Sequence, residues 1–219
     1  MRIVAHRGCA DQYPENTLGA VRACSPHVDM IEVDVRRCGS GELVAFHDQN
    51  LSRLTGVDRR VDATDYEELS EFTILDTGER IPSLTELLRA TPDRVGLNLE
   101  LKRTGMAADL LRAIDGIENE VVVSSFVPDA LWELRDRDDD VGLATVFAER
   151  PDEHLDLAVE LDAVMIHPED ELCLKNGLVD RAREHDLEVN AWSVSTLSQA
   201  RTLADAGVDG LIADRWDLL

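Results

Sequence analysis

Short apolar runs and amphipathic stretches alternate along the whole chain. Residues 2–6 read as a first strand and 29–35 as a second, with extended structure continuing over 42–47. Further apolar runs at 95–101, 121–125, 141–147, 163–167, 188–193 and 210–213 bring the predicted strands to eight. Between them the apolar positions recur at helical spacing, as at Leu18, Ala20 and Val21 within 15–24. Helices are also expected over 83–90, from about 106, over 128–135, after Pro151, and over 178–185 and 197–206. Ser83 and Glu86 form a capping box at one of these starts. Only residues 48–81 break the rhythm, being polar with scattered Arg and Asp.

Strands that alternate with helices pair in parallel through right-handed crossovers. Eight such units in 219 residues predict a compact (β/α)8 barrel with a small insertion over about 48–81, all in a single domain spanning 1–219. An open doubly wound sheet is the rival fold. It is weakened because no G-x-G-x-x-G follows the first strand.

Composition narrows the function classes. Hydrophobic residues make up 44% of the chain, enough for one sizeable core. Twenty-two Lys+Arg against 45 Asp+Glu give a net charge of −23, which repels nucleic-acid backbones and anionic lipid surfaces alike. No nucleic-acid partner and no stable membrane association are therefore expected. Only Lys102 and Lys175 are lysines. An Asp-rich, Lys-poor surface suits a protein that works in concentrated salt, where the reach of a charge shrinks to about 3 Å at 1 M. The unfolding midpoint is expected to rise from dilute buffer to molar KCl, because screening relieves self-repulsion. Thermal melts in a KCl series check this, and a flat or falling midpoint would remove the inference of adaptation to brine. Cys9, Cys24, Cys38 and Cys173 match no zinc spacing and read as reduced, buried thiols. With no charged leader before an apolar segment, the expected compartment is the cytoplasm.

In barrels of this kind chemistry collects at the C-terminal ends of the strands. There the first strand ends in His6-Arg7-Gly8. The second carries Glu32 and Asp34, two apart and therefore on one face, with Ile31, Val33 and Val35 on the other. The third ends in Glu100 and Lys102, and His47-Asp48, Ser125-Phe126, His167 and Trp192 lie at comparable places. Paired carboxylates on one face are costly unless a cation joins them. Glu32, Asp34 and Glu100 offer oxygen ligands alone, which select Mg²⁺ or Ca²⁺ over zinc. His6 and His47 remain as a proton acceptor and donor, and Arg7 and Lys102 as cations for an anion. Together they form a kit for cleaving a phosphoester. Taken singly, each has a blander reading: a strand-end carboxylate is commonly a solvated charge or a cap, and Phe126 and Trp192 are ordinary core types. His27, His154 and His185 read as surface residues, His167 is ambiguous, and Trp216 reads as packing.

The ordered set closely resembles the glycerophosphodiester phosphodiesterase family over nearly the whole chain. The resemblance rests on His6-Arg7-Gly8, Pro14-Glu15-Asn16-Thr17, Glu32-Val33-Asp34, His47-Asp48 and Leu99-Glu100-Leu101-Lys102. It continues through Ser124-Ser125-Phe126, Ala191-Trp192-Ser193-Val194 and residues 207–214. It implies a (β/α)8 barrel that hydrolyses glycerophosphodiesters to an alcohol and sn-glycerol 3-phosphate, with one divalent cation, Mg²⁺ or Ca²⁺ and with Mn²⁺ a third candidate. Glu32, Asp34 and Glu100 then map to metal ligands, and His6 and His47 to catalytic histidines, with His6 the expected base and His47 the acid. Arg7 and Lys102 map to phosphate contacts, and Phe126 and Trp192 to apolar positions lining the glycerol side. Ser195 and Ala213 stand where the family often has Asn and Thr, which bears on substrate preference and not on the reaction. Rival readings are a lyase that forms cyclic phosphates from lysolipids, a sugar-phosphate isomerase and a catalytically inactive binding protein.

Overall fold

The computed structural model describes residues 1–218. Its strands are β1 (Arg2–Ala5), β2 (Met30–Arg37), β3 (Leu43–Ala45), β4 (Gly96–Leu101), β5 (Val121–Ser125), β6 (Gly142–Phe147), β7 (Met165–Pro168), β8 (Glu188–Val194) and β9 (Gly210–Ala213). Eight of them are parallel, in the order β1-β9-β8-β7-β6-β5-β4-β2, and pairing of β1 with β2 closes the barrel. The α-helices of the outer layer are α1 (Leu18–Cys24), α2 (Ser52–Thr55), α3 (Tyr66–Leu69), α4 (Leu84–Ala90), α5 (Ala107–Ile114), α6 (Pro128–Arg135), α7 (Pro151–Glu160), α8 (Asp170–Cys173), α9 (Leu178–Arg183) and α10 (Leu197–Ala206). Among the described residues no helix is long and apolar enough to cross a membrane.

The strands read as nearly unbroken apolar runs because both of their faces are covered. On the outside, Ile31, Val33, Leu97 and Leu99 pack with Leu84, Leu87, Leu110 and Leu131 of the helices. On the inside, Val4, Met30, Val122, Ala144, Met165 and Ile212 fill the lower barrel. Gly96 makes room there, since a Cβ on it would lie 2.8 Å from the Met30 Cε. Buried Asn190 joins this layer, donating to Met165 Sδ at 3.2 Å, and the remaining polar groups that face the interior come from the upper ends of the strands.

Local departures from the expected elements have identifiable causes. The first helix begins at Leu18, not at residue 15, because the Thr17 hydroxyl caps it by accepting the Ala20 N–H at 3.1 Å. Glu15 and Asn16 are thereby released into a loop. The extended segment after β2 is the short strand β3, which pairs antiparallel with β2 at Val35↔Ala45 and stays outside the barrel. The following excursion contains α2, a 3₁₀ turn at Val61–Ala63 and α3, built over its own apolar cluster of Phe46, Leu51, Leu54, Leu69 and Ile74. The capping box at Ser83 and Glu86 forms as expected. The helix expected over 178–185 ends at Arg183, and α8 was not foreseen. His154 is half-buried, not on the surface, and stacks on Phe147 at 4.8 Å. Trp216 packs face to face with His27 at 3.9 Å. All four cysteines are buried and free.

Candidate active site

The upper ends of the strands open on a cavity of about 220 Å³. Its walls include His6, Arg7, Glu32, His47, Glu100, Lys102, Phe126 and Trp192. Asp34, the ninth residue singled out from sequence, lies just behind the wall. It accepts from the Asn16 amide at 2.7 Å and pairs with Lys102 at 2.6 Å.

The carboxylate cluster follows from strand alternation and register. Glu32 and Asp34 point inward from β2, and parallel pairing sets Glu100 of β4 beside Asp34. Each of the three offers an oxygen within 4.8 Å of the others, and all are buried. Burial, reinforced by the Asp34 charge, pushes the Glu32 carboxyl up to about 8. Burial also raises Glu100, against the pull of Lys102. Asp34 goes the other way: burial opposes its charge, but the Lys102 ammonium and the Arg7 guanidinium at 3.2 Å hold it well below the usual carboxylate range. Lys102 also bonds Glu100. Glu32 accepts the Arg7 backbone N–H through Oε2 at 2.8 Å, while its buried Oε1 has no partner. A cluster of oxygen donors with raised carboxyl groups and an orphaned oxygen could hold a divalent cation, which would lower the cost of ionising all three.

The two histidines are held alike. After β1 the chain turns sharply through left-handed Arg7 (φ 51°), Gly8 (φ 80°) and Cys9 (φ 69°). At Gly8 a side chain would also collide with Ala20, 2.9 Å away. This turn aims the Arg7 N–H at Glu32 and leaves His6 Nδ1 2.6 Å from Asp214 Oδ1, just beyond β9. His47 Nδ1 lies 2.7 Å from Asp48 Oδ1. A carboxylate at Nδ1 fixes that nitrogen as the donor and leaves Nε2 as the basic one. Burial works against a charged His6, yet the Asp214 bond and the Glu32 charge raise its pKa. Burial lowers that of His47, against the pull of Asp34.

Among the other residues that line the cavity are three buried polar ones, Asn98, Ser124 and His167. Asn98 Oδ1, Ser124 Oγ and His167 Nδ1 lack protein partners. Burial, with Arg2 adding to it, pushes His167 down to about 3, so it is neutral. Phe126, 44% exposed, stands edge-on to Trp192 at 5.3 Å on the rim. Trp192 is anchored by donating Nε1–H to the His167 carbonyl at 2.8 Å.

The site contains partners that sequence reasoning did not assign. Asp48 had a signal in its adjacency to His47. Asp214 closes the 207–214 segment, but its contact with His6 spans 208 positions of chain and is set by barrel closure. Glu15 and Asn16, in Pro14-Glu15-Asn16-Thr17, likewise carry no role that the sequence alone assigns. Glu15 bonds Arg7 at 3.1 Å and Asn16 grips Asp34 from both sides, also accepting its backbone N–H. A base, an acid, a carboxylate cluster and two cations around one small cavity can bind an anion and move protons on either side of it.

The model of the glycerophosphoryl diester phosphodiesterase family matches residues 6–218. The chain is 29% identical over 227 residues to a glycerophosphodiester phosphodiesterase of Caldanaerobacter subterraneus subsp. tengcongensis, covering 97% of this chain and 93% of that one. It is 30% identical over 233 residues to one of Bacillus altitudinis, covering 97% and 94%. Among solved structures, an Oleispira antarctica phosphodiesterase in complex with the product sn-glycerol-3-phosphate superposes with a TM-score of 0.90 at 26% identity, covering 98% and 93%. A Thermotoga maritima glycerophosphodiester phosphodiesterase, at 23% identity and a TM-score of 0.87, covers 100% and 96% and shows the shared fold.

Proposed function

Since this chain belongs to the glycerophosphoryl diester phosphodiesterase family, we propose that it hydrolyses glycerophosphodiesters to an alcohol and sn-glycerol 3-phosphate. The observation that carries the reading is the pair of histidines, each oriented through Nδ1 by its own carboxylate, beside one carboxylate cluster in one cavity. Arg7 and Lys102 supply positive charge for the phosphoryl oxygens. His6 accepts the proton of the attacking hydroxyl, and His47 gives a proton to the departing alcoholate. Phe126 and Trp192 supply an apolar rim for the carbon skeleton. Glu32, Asp34 and Glu100 would hold Mg²⁺ or Ca²⁺, since their donors are all hard oxygens. When bound, the cation contributes Lewis acidity and neutralises charge. The protein acts on a small molecule in the cytoplasm, without nucleic acid or a stable membrane partner.

A coupled assay for glycerol 3-phosphate over several glycerophosphodiesters, in parallel with Mg²⁺, Mn²⁺ and Ca²⁺, tests this. Release of glycerol 3-phosphate only with a divalent cation present is the expected result. Accumulation of a cyclic phosphate instead, seen by phosphorus NMR, would replace hydrolysis with the lyase reading. No turnover with any cation would sink both.

A further inference from the structure

We propose that Arg53, on α2 of the excursion after β3, is a positioning residue that holds His47 in working geometry. The inference rests on the proposed reaction for its kinetic arm and on geometry alone for its spectroscopic arm. Arg53 uses all three guanidinium nitrogens on two carboxylates. Nε donates to Asp48 Oδ2 at 2.5 Å, and Nη1 and Nη2 donate in parallel to Glu15 at 2.8 and 2.7 Å. The other oxygen of Asp48 meets His47 Nδ1. Glu15 Oε1 also accepts from Arg7, whose Nε faces Asp34. The result is an unbroken line of alternating partners, His47–Asp48–Arg53–Glu15–Arg7–Asp34, running from the excursion to the carboxylate cluster.

An exposed ion pair is ordinarily worth only about 0–1 kcal/mol. Arg53 is itself half-exposed, but the Glu15 side chain it grips is only 9% exposed. Burial of Glu15 works against its charge, and its two arginine partners hold it ionised. Without Arg53, Glu15 keeps one partner, and Asp48 is free to rotate away from His47. Outer carboxylates that orient metal-bound histidines matter by about 10–100-fold, and a comparable effect is expected for His47. Lysine cannot substitute, because an ammonium lacks the planar fork that grips Glu15 at two points while Nε reaches Asp48. A nearby arginine offers the contrast: Arg60 forms a two-point bond to Asp62 in the same excursion, at 2.9 and 2.7 Å, but touches no site residue.

The test compares wild type, Arg53→Ala, Arg53→Lys and Arg60→Ala. Long-range proton–nitrogen NMR of the imidazoles reads the His47 tautomer without any turnover. Wild type and Arg60→Ala should show Nδ1 protonated in neutral His47, and both Arg53 variants should show a tautomer mixture with the native fold retained by circular dichroism, at a melting temperature lowered by the half-satisfied Glu15. In kinetics, both Arg53 variants should lose about 10–100-fold in kcat on a diester with an alkyl leaving group. The loss should shrink to within about 3-fold on a nitrophenyl ester, which needs no acid. An unchanged His47 tautomer in both Arg53 variants overturns the proposal even if the enzyme is inactive on every diester. An equal loss on both esters also overturns it, because that is the mark of a loosened fold. If wild type releases no glycerol 3-phosphate while the tautomer shifts as expected, the functional reading fails and the positioning role stands.

Discussion

His47→Ala should lose turnover of alkyl glycerophosphodiesters by about 10² or more and recover most of it on a nitrophenyl ester; His6→Ala should lose as much and recover none. The asymmetry follows from the roles. A leaving group that departs as a stable anion needs no proton, whereas the attacking hydroxyl must still lose one. Both imidazoles are held by a carboxylate at Nδ1, so geometry alone does not rank them. Their surroundings do differ. His6 lies in the field of Glu32, which raises its pKa together with the Asp214 bond. A cation on the carboxylate cluster offsets that field and favours the neutral imidazole a base requires. Steady-state rates for the two variants on the two esters decide the matter. Recovery of both, or of neither, would refute the division of labour.

Glu100→Gln is expected to weaken divalent-cation binding by at least about 10²-fold by calorimetry, more than the loss of an outer-shell group, while the fold persists. Wild-type affinity should also climb with pH until about 8, because the buried Glu32 carboxyl must lose its proton before it can ligate. Stability of the cation-free fold runs the opposite way. Glu32 titrates higher in the folded protein than its ordinary 4.5, so its contribution to the cation-free fold is complete below that value and is lost as pH rises through about 8. A cation restores it, since binding to the folded state alone adds about 2.7 kcal/mol at a hundred times its Kd. The rise in melting temperature on adding Mg²⁺ or Ca²⁺ should therefore be larger at pH 9 than at pH 6. An equal rise at both values, or unchanged cation binding by Glu100→Gln, would show that the three carboxylates are not the ligands.

Much of this site could be read directly because strand chemistry repeats every two residues. Glu32 and Asp34 could only share a face, and in a barrel that face is the interior once Ile31, Val33 and Val35 claim the helices. What stayed hidden depends on closure or on irregular backbone. Asp214 meets His6 only because β1 pairs with β9. Arg53 lies in a segment with no apolar period to read, where four-residue helices form on tertiary contacts and not on propensity. The left-handed turn at Arg7 leaves no mark that would distinguish its backbone N–H as the partner of Glu32. The sequence left His167 ambiguous at its strand end and assigned Asn98 and Ser124 no role, because a shared cavity wall depends on register between strands.

The bond between His6 and Asp214 also sets an order in time. Synthesis runs from the N-terminus, so His6, the carboxylate cluster and both cations exist on the growing chain long before the aspartate that meets His6. β9 must be made and must seat against β1 before that imidazole acquires its fixed tautomer. A nascent or prematurely ended chain thus carries nearly the whole set of reactive groups in an unarmed form. Seating of β9 joins closure of the barrel to the orientation of His6, and under the proposed mechanism a fragment that lacks β9 has no oriented base.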